Sequence, residues 1–468
     1  MFRTLPLLAL PCLLFPGGAA AATLDGSQLS LAWILPFAGI LLSIALCPLF
    51  LPKFWHHHFG KVAAFWALAF LIPCALSLGP GLAGGVVVHA LVEEYIPFII
   101  LLLALYTISG GILIWGNLHG SPLLNTGLLA LGTVLASLMG TTGAAMLLIR
   151  PLLKANDNRR HNVHVVVFFI FLVANIGGGL TPIGDPPLFL GFLKGVGFFW
   201  TFEHMLPLVA LAAAVLLAVF YAIDSYYFRK EGVLPVDKTP DSAVKIHGKR
   251  NIVLLAAAVA CVVLSGVWKP GIELQLGAVA LQLQNIVRDL LLLGLTLLSL
   301  RITPKPVRAG NDFSWGPIQE VAKLFAGIFI VMAPAIAILR AGETGALAGL
   351  VRLVFDADGL PRDHMFFWLT GALSAFLDNA PTYLVFFNLA HGDAQHLMSA
   401  MGTTLLAVSA GSVFMGAMSY IGNAPNFMVK AVAEDRGVNM PSFFGYMAWS
   451  CAILLPTFAL ITGVFFLN

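Results

Sequence analysis

Two carboxylates stand inside otherwise apolar stretches of this 468-residue chain, each beside residues that break a helix. Asp185 lies in Ala174-Asn175-Ile176-Gly177-Gly178-Gly179-Leu180-Thr181-Pro182-Ile183-Gly184-Asp185-Pro186-Pro187, and Asp378 in Asp378-Asn379-Ala380-Pro381-Thr382. A carboxylate at hydrocarbon depth is costly unless it faces water, pairs with a cation or takes up a proton. A single group held between the last two states can exchange a hard cation such as Na⁺ for H⁺. The alternative use of each Asp is structural, as an acceptor for the free N–H groups at a helix start.

Neutral oxygens and amides surround both. Asn175, Asn379, Asn423, Asn426, Thr141, Thr142, Thr181, Thr382 and Ser419 all lie in the same motifs or their partners. Amide side chains hold a cation through oxygen or a carboxylate through nitrogen, so these residues suit an ion or a small organic anion alike. Helix–helix hydrogen bonding is their other ordinary role. Gly177, Gly178, Gly179, Gly184, Pro186, Pro187, Pro381, Gly422 and Pro425 interrupt the helices around them, by removing donors or freeing the backbone. At membrane depth such irregular backbone is tolerated only when buried in protein or lining a wet cavity, and transporters place it at substrate or ion sites.

The elements that position these motifs come in two sets. Ser419-Tyr420-Ile421-Gly422-Asn423-Ala424-Pro425-Asn426 repeats Thr181 to Leu188, with Ile, Gly and one Pro identical at a spacing of 238 residues. Met139-Gly140-Thr141-Thr142-Gly143 and the Asp378 motif form a second pair at almost the same spacing. The chain therefore reads as an internal duplication. Apolar segments at about 31–51, 63–79 and 95–115 lead to a re-entrant hairpin (123–139 and 142–153), an interrupted helix (163–195) and a span at 203–226. The order returns with spans at 252–268, 284–302 and 323–340, a hairpin at 365–391, an interrupted helix at 400–432 and a final span at 443–466. The expected fold class is an all-α integral membrane protein with residues 1–22 as a signal peptide, repeats at 23–226 and 252–468, and a polar linker at 227–251.

Composition demands a membrane. The chain is 59% hydrophobic and 10% charged, against about 25% charged in a soluble domain; its mean hydropathy is +0.93. With no basic tail or basic-aromatic patch, nucleic-acid partners have no support; the expected partner is the lipid bilayer. Five scattered cysteines (12, 47, 74, 261 and 451) form neither a disulfide framework nor a zinc motif. No GxSxG, HExxH or P-loop pattern points to an enzyme, and no cofactor is expected beyond transported Na⁺ and H⁺.

An odd number of spans per repeat inverts the second copy relative to the first. Starting outside a bacterial inner membrane, the expected cytoplasmic loops hold eighteen Lys and Arg and the external loops six, as the positive-inside rule requires. Both mature termini are then periplasmic. Other polar features read more plainly. His56-His57-His58 sits at a membrane edge, Glu93-Glu94 opens a span at the interface, Arg150 anchors a hairpin end, and Asp157 to Asn162 is a solvated loop.

At Asn175-Ile176-Gly177-Gly178, Ile183-Gly184-Asp185-Pro186-Pro187 and Asp378-Asn379-Ala380-Pro381 the chain resembles the ion transporter superfamily. Within it, the resemblance is to the branch that joins D-type Na⁺/H⁺ antiporters, arsenite permeases and citrate–metal transporters. The resemblance implies inverted repeats, hairpins entering from opposite faces, often a homodimer, and elevator-like alternating access. Two departures stand out. Leu188 replaces the Asn that commonly follows Gly-Asp-Pro-Pro, although Asn426 keeps it in the second copy. The Ser-Asn-Thr triplets of dicarboxylate carriers are replaced by Gly140-Thr141-Thr142 and Asp378-Asn379-Ala380. The Asp-Asn-x-Pro tip is closer to the antiporters, so Na⁺ (or Li⁺) exchange for H⁺ is the expected activity, with citrate, another organic anion or arsenite as the alternative cargo.

Overall fold

A computed structural model describes residues 24–232, 242–276 and 279–467; the expected signal peptide lies outside them. Among the described residues ten helices are long and apolar enough to cross a membrane. The segment Val163–Leu180 is 89% buried, whereas the apolar 18-residue stretches within Leu31–Phe50 and Pro52–Ser77 are only 28% and 22% buried. Apolar side chains that a soluble protein would hide are thus left facing outward, where lipid is their solvent. The chain is an all-α integral membrane protein.

The first hairpin begins where Ser121 accepts from Leu124 N (3.2 Å) with Pro122 at the first helical position. Its arms, Pro122–Met139 and Thr141–Ala155, meet at Gly140, whose φ of +79° lets the chain reverse without a Cβ clash. The second arm rises about 22 Å at 1.5 Å per residue, short of a bilayer core. The second hairpin pairs Asp363–Phe376 with Asn379–Leu389. Both interrupted helices break as expected. Val163–Leu172 passes through a 3₁₀ turn, Ile176–Leu180, to Pro186–Leu193. Gly402–Met415 passes through Gly416–Met418 to Ala424–Asp435.

These parts interlock reciprocally. Thr141–Ala155 of the first hairpin packs on Ala424–Asp435 of the second break, and Asn379–Leu389 of the second hairpin packs on Pro186–Leu193 of the first. Around them Leu35–Phe50, Pro52–Ser77, Ile96–Ser109, Arg250–Val267, Leu283–Ile302 and Gly316–Arg340 pack mainly on one another. Two short antiparallel pairings had no counterpart in the sequence reading: Leu113–Asn117 with Ser242–His247, and Glu273–Leu276 with Val279–Gln282.

Two polar features differ from expectation, and in each a buried charge, Glu94 or Arg159, is neutralised by a distant partner. Glu93-Glu94 does not open a span: helix continues from Pro80 to Ser109 through a π turn at Ala90–Tyr95. Glu93 lies 3.1 Å from His89, and buried Glu94 pairs with Lys194 at the end of the first interrupted helix. Nor is the stretch from Asp157 to Asn162 simply solvated. The Arg159 side chain is fully buried, bonded to Asp224 Oδ1 (2.6 Å) and Glu231 Oε2 (3.3 Å) of the long helix Phe198–Glu231. His164 Nε2 (2.8 Å) and Asn125 Nδ2 (2.9 Å) complete the shell of Asp224. Arg150 behaves as an end anchor, bonding Asp312 at 3.0 Å.

Candidate functional site

All four motifs meet at the Asp185 carboxylate, which is buried (2% exposed). Oδ1 accepts from Thr141 Oγ1 (3.0 Å) at the first hairpin tip and from Asn423 Nδ2 (3.2 Å) at the second break. Oδ2 accepts from Asn379 Nδ2 at the second hairpin tip. These hydrogen-bond partners are all neutral. Each of the four side chains sits at or next to a helix start: Asp185 and Asn423 precede Pro186–Leu193 and Ala424–Asp435, while Thr141 and Asn379 open Thr141–Ala155 and Asn379–Leu389. Four partially positive N-termini therefore converge on one point.

Two further amides, together with Asn423, clamp the crossing of the two breaks. Asn175 donates to Asn426 Oδ1 (2.7 Å) and to Ile170 O (2.8 Å), while Asn426 donates to Gly416 O (2.8 Å) and Ser419 O (2.9 Å). Asn423 Nδ2 is shared with Asn175 Oδ1 (3.2 Å) and Ala174 O (3.1 Å). Asn379 differs: its side chain is 1% exposed, yet Oδ1 has no hydrogen-bond partner among the described residues. A buried amide oxygen left in this way costs free energy unless another group uses it.

The remaining sequence candidates divide. Thr181 Oγ1 donates to Ser137 O and Ser419 Oγ to Ala375 O, so both hold loop backbone against a hairpin arm. Thr382 bonds the Asp378 carbonyl (2.9 Å), and Thr142 is half-buried at the first tip. Asp378 caps Asn379–Leu389, accepting from Ala380 N at 3.0 Å, a contact that does not exclude ion binding. Sequence spacing passed over Ser137, which donates to Gly177 O and accepts from Leu180 N (3.2 Å). The available signal was the repeat itself, since Ser137 and Ala375 stand 238 residues apart, as do Thr181 and Ser419. The helix caps keep the same spacing, Gly140 with Asp378 and Asp185 with Asn423. The centre is thus built from two corresponding pairs, Thr141 with Asn379 and Asp185 with Asn423.

The glycines bring these strands of backbone close together. A Cβ on Gly184 would stand 2.3 Å from Gly178 O, and one on Gly422 2.6 Å from Gly416 O. Backbone cannot swing aside as a side chain can. Gly184→Ala should therefore lower stability by about 1–3 kcal/mol, seen as a fall in the unfolding temperature of the purified protein. An unchanged temperature would mean that the two loops are not packed as described.

The comparisons with known proteins point to a transporter. A family model described as "Putative citrate transport" matches residues 26–466. Relatives named as uncharacterized transporters in Mycobacterium bovis and Mycobacterium tuberculosis are each 24% identical over 354 residues, 73% of this chain and 76% of theirs. With the match running through both hairpins, both interrupted helices and the surrounding spans, the chain belongs to the family described as "Putative citrate transport", a multi-pass membrane transporter of the ion transporter superfamily.

Proposed function

We propose that the chain is a secondary active transporter that exchanges Na⁺ (or Li⁺) for H⁺ at Asp185. The observation that carries this reading is a buried carboxylate whose hydrogen-bond partners are all neutral. Hydrogen bonds and helix ends offset part of its charge, but a full counter-charge must come from a cation or a proton. Because one carboxylate cannot hold both well, loading Na⁺ releases H⁺, and that competition is antiport. Thr141 Oγ1 and the amide oxygens of Asn379 and Asn423 are hard donors of the kind an alkali cation takes. Rotating the Asn379 amide by half a turn would carry its unbonded Oδ1 to the side where Nδ2 now donates.

Asn175 and Asn426 act by holding the two breaks together, and Thr181, Ser419 and Thr382 by fixing backbone. The proposed setting is a bacterial inner membrane, with both mature termini periplasmic and residues 23–226 and 252–468 as inverted repeats across the linker 227–251. The hairpins and interrupted helices would move as a body past the surrounding spans, in a homodimer.

The family description favours a second reading, carriage of citrate or another organic anion. The four helix N-termini suit an anion, but they already serve the Asp185 carboxylate. An anionic cargo would therefore have to arrive with a cation or a proton at Asp185, so both readings share a cation centre.

Inside-out vesicles from cells lacking their own antiporters separate the two. Respiration sets an acid-inside gradient, and a pH dye reports its collapse on addition of Na⁺, Li⁺, K⁺ or citrate. Collapse by Na⁺ or Li⁺ supports antiport; silence toward every cation, with uptake of labelled citrate, assigns the chain to anion transport. In the same assay Asp378→Asn should keep most of the activity, because Asn preserves the capping oxygen. Asp378→Ala should lose about 1 kcal/mol of stability. Abolished exchange in Asp378→Asn, with normal insertion, would instead make Asp378 a second ion ligand.

A further inference from the structure

We propose that a basic cavity between the loop after the first hairpin and the loop after the second interrupted helix binds a phosphate-bearing anion. The cavity has a volume of about 400 Å³ and joins the two halves of the chain, with residues 153–163 on one side and 436–439 on the other. Its charged lining is Lys154, Arg159, Arg160 and Arg436 against the single carboxylate of Asp157. Asp224 and Glu231 already neutralise Arg159, but Lys154, Arg160 and Arg436, brought together from two distant segments, repel one another unless an anion sits among them. The cavity is well apart in its chemistry from the Asp185 centre, which contains no basic side chain among its hydrogen-bond partners.

Arg159 gives the independent sign of a ligand. Its side chain is fully buried, and Nε and Nη1 are occupied by Glu231, Asp224 and Asn156. Nη2, also buried, has no hydrogen-bond partner among the described residues. A guanidinium held rigidly by two carboxylates in a residue of the cavity wall, with one buried nitrogen lacking a partner among the described residues, is a preorganised donor. The start of helix Val163–Leu172 lies in the same wall: its N-cap Asn162 makes no side-chain capping bond and lines the cavity with Val163. Backbone N–H groups of that first turn add donors of the type that phosphate oxygens accept. Two exposed arginines, Arg160 and Arg436, can close over a ligand from above. Forked guanidinium donors match a tetrahedral oxyanion better than a point charge does.

The same chemistry has two sources, a dissolved phosphate compound and the headgroup of an anionic lipid. Purified full-length protein in phosphatidylcholine nanodiscs is titrated with inorganic pyrophosphate, and its unfolding temperature is followed. A parallel set of discs contains phosphatidic acid without added pyrophosphate. The variants are Arg160→Gln and Arg436→Gln, both at exposed positions that spare the buried Arg159 cluster, with Arg301→Gln as a basic control elsewhere. Each of the first two should weaken binding by about tenfold or more, the loss of one charge-assisted contact, while Arg301→Gln should bind as the native chain does. Stabilisation by pyrophosphate with this pattern assigns a soluble anion. Stabilisation by phosphatidic acid alone, with the same pattern, assigns a lipid headgroup. No stabilisation by either, or equal stabilisation in all three variants, overturns the proposal. The readout is binding rather than transport, so its failure is distinct from failure of the Na⁺/H⁺ reading.

Discussion

Asp185→Asn should abolish Na⁺- or Li⁺-driven proton movement in inside-out vesicles while leaving expression and membrane insertion at native levels. The substitution keeps size and removes only the charge. An uncompensated carboxylate at membrane depth costs about 3 kcal/mol; if binding a cation or proton relieves that cost, removing the charge corresponds to roughly a 100-fold fall in affinity. The fold should tolerate it because the surroundings can re-pair. Asparagine at 185 can keep its oxygen toward Thr141 and Asn423 and turn its nitrogen toward Asn379. The Asn379 amide then flips and presents Oδ1, the atom without a partner among the described residues in the native arrangement. No buried donor is left facing another donor. The vesicle assay checks the first half of this prediction and the unfolding temperature the second. Native-like exchange in correctly inserted Asp185→Asn would remove Asp185 from the mechanism. Loss of both exchange and thermal stability would show instead that the charge is needed to assemble the four motifs.

The largest stability effect is expected at Arg159. Arg159→Ala leaves Asp224 and Glu231 buried without their cation, and breaking a buried ion pair from one side costs about 3–5 kcal/mol. Asp224→Asn should be milder, because the amide oxygen still accepts from Arg159 and Glu231 keeps its cation, although the amide nitrogen then faces Asn125 Nδ2 in place of the second carboxylate oxygen. The unfolding temperatures of the two purified variants decide the matter. Arg159→Ala should melt well below Asp224→Asn, and both below the native chain. Equal, near-native temperatures would return Asp157 to Asn162 to the solvated loop that their polarity alone suggests.

Those two sites mark the line between what could be read from the chain and what could not. Membrane class, the two interrupted helices, both hairpin tips and the correspondence between halves were legible because each is a local or periodic property. A run of apolar residues has to lie in lipid, and Gly-Asp-Pro-Pro or Asp-Asn-Ala-Pro breaks a helix wherever it occurs. The candidate list for the centre was legible for the same reason, since polar residues inside apolar runs are few. Their division of labour was not. Asp185 and Asp378 have the same chemistry and similar neighbours in sequence, yet one receives donors from three other segments and the other caps its own helix. Glu94 and Arg159 carry charges that local reading assigns to water, and both are buried because Lys194 and Asp224, 100 and 65 residues away, reach them. Sequence alone determined which segments must break in the membrane and which side chains stand at the breaks. Tertiary structure alone decided which of those side chains meet, because hydrogen bonds and ion pairs act over about 3 Å of space and take no account of distance along the chain.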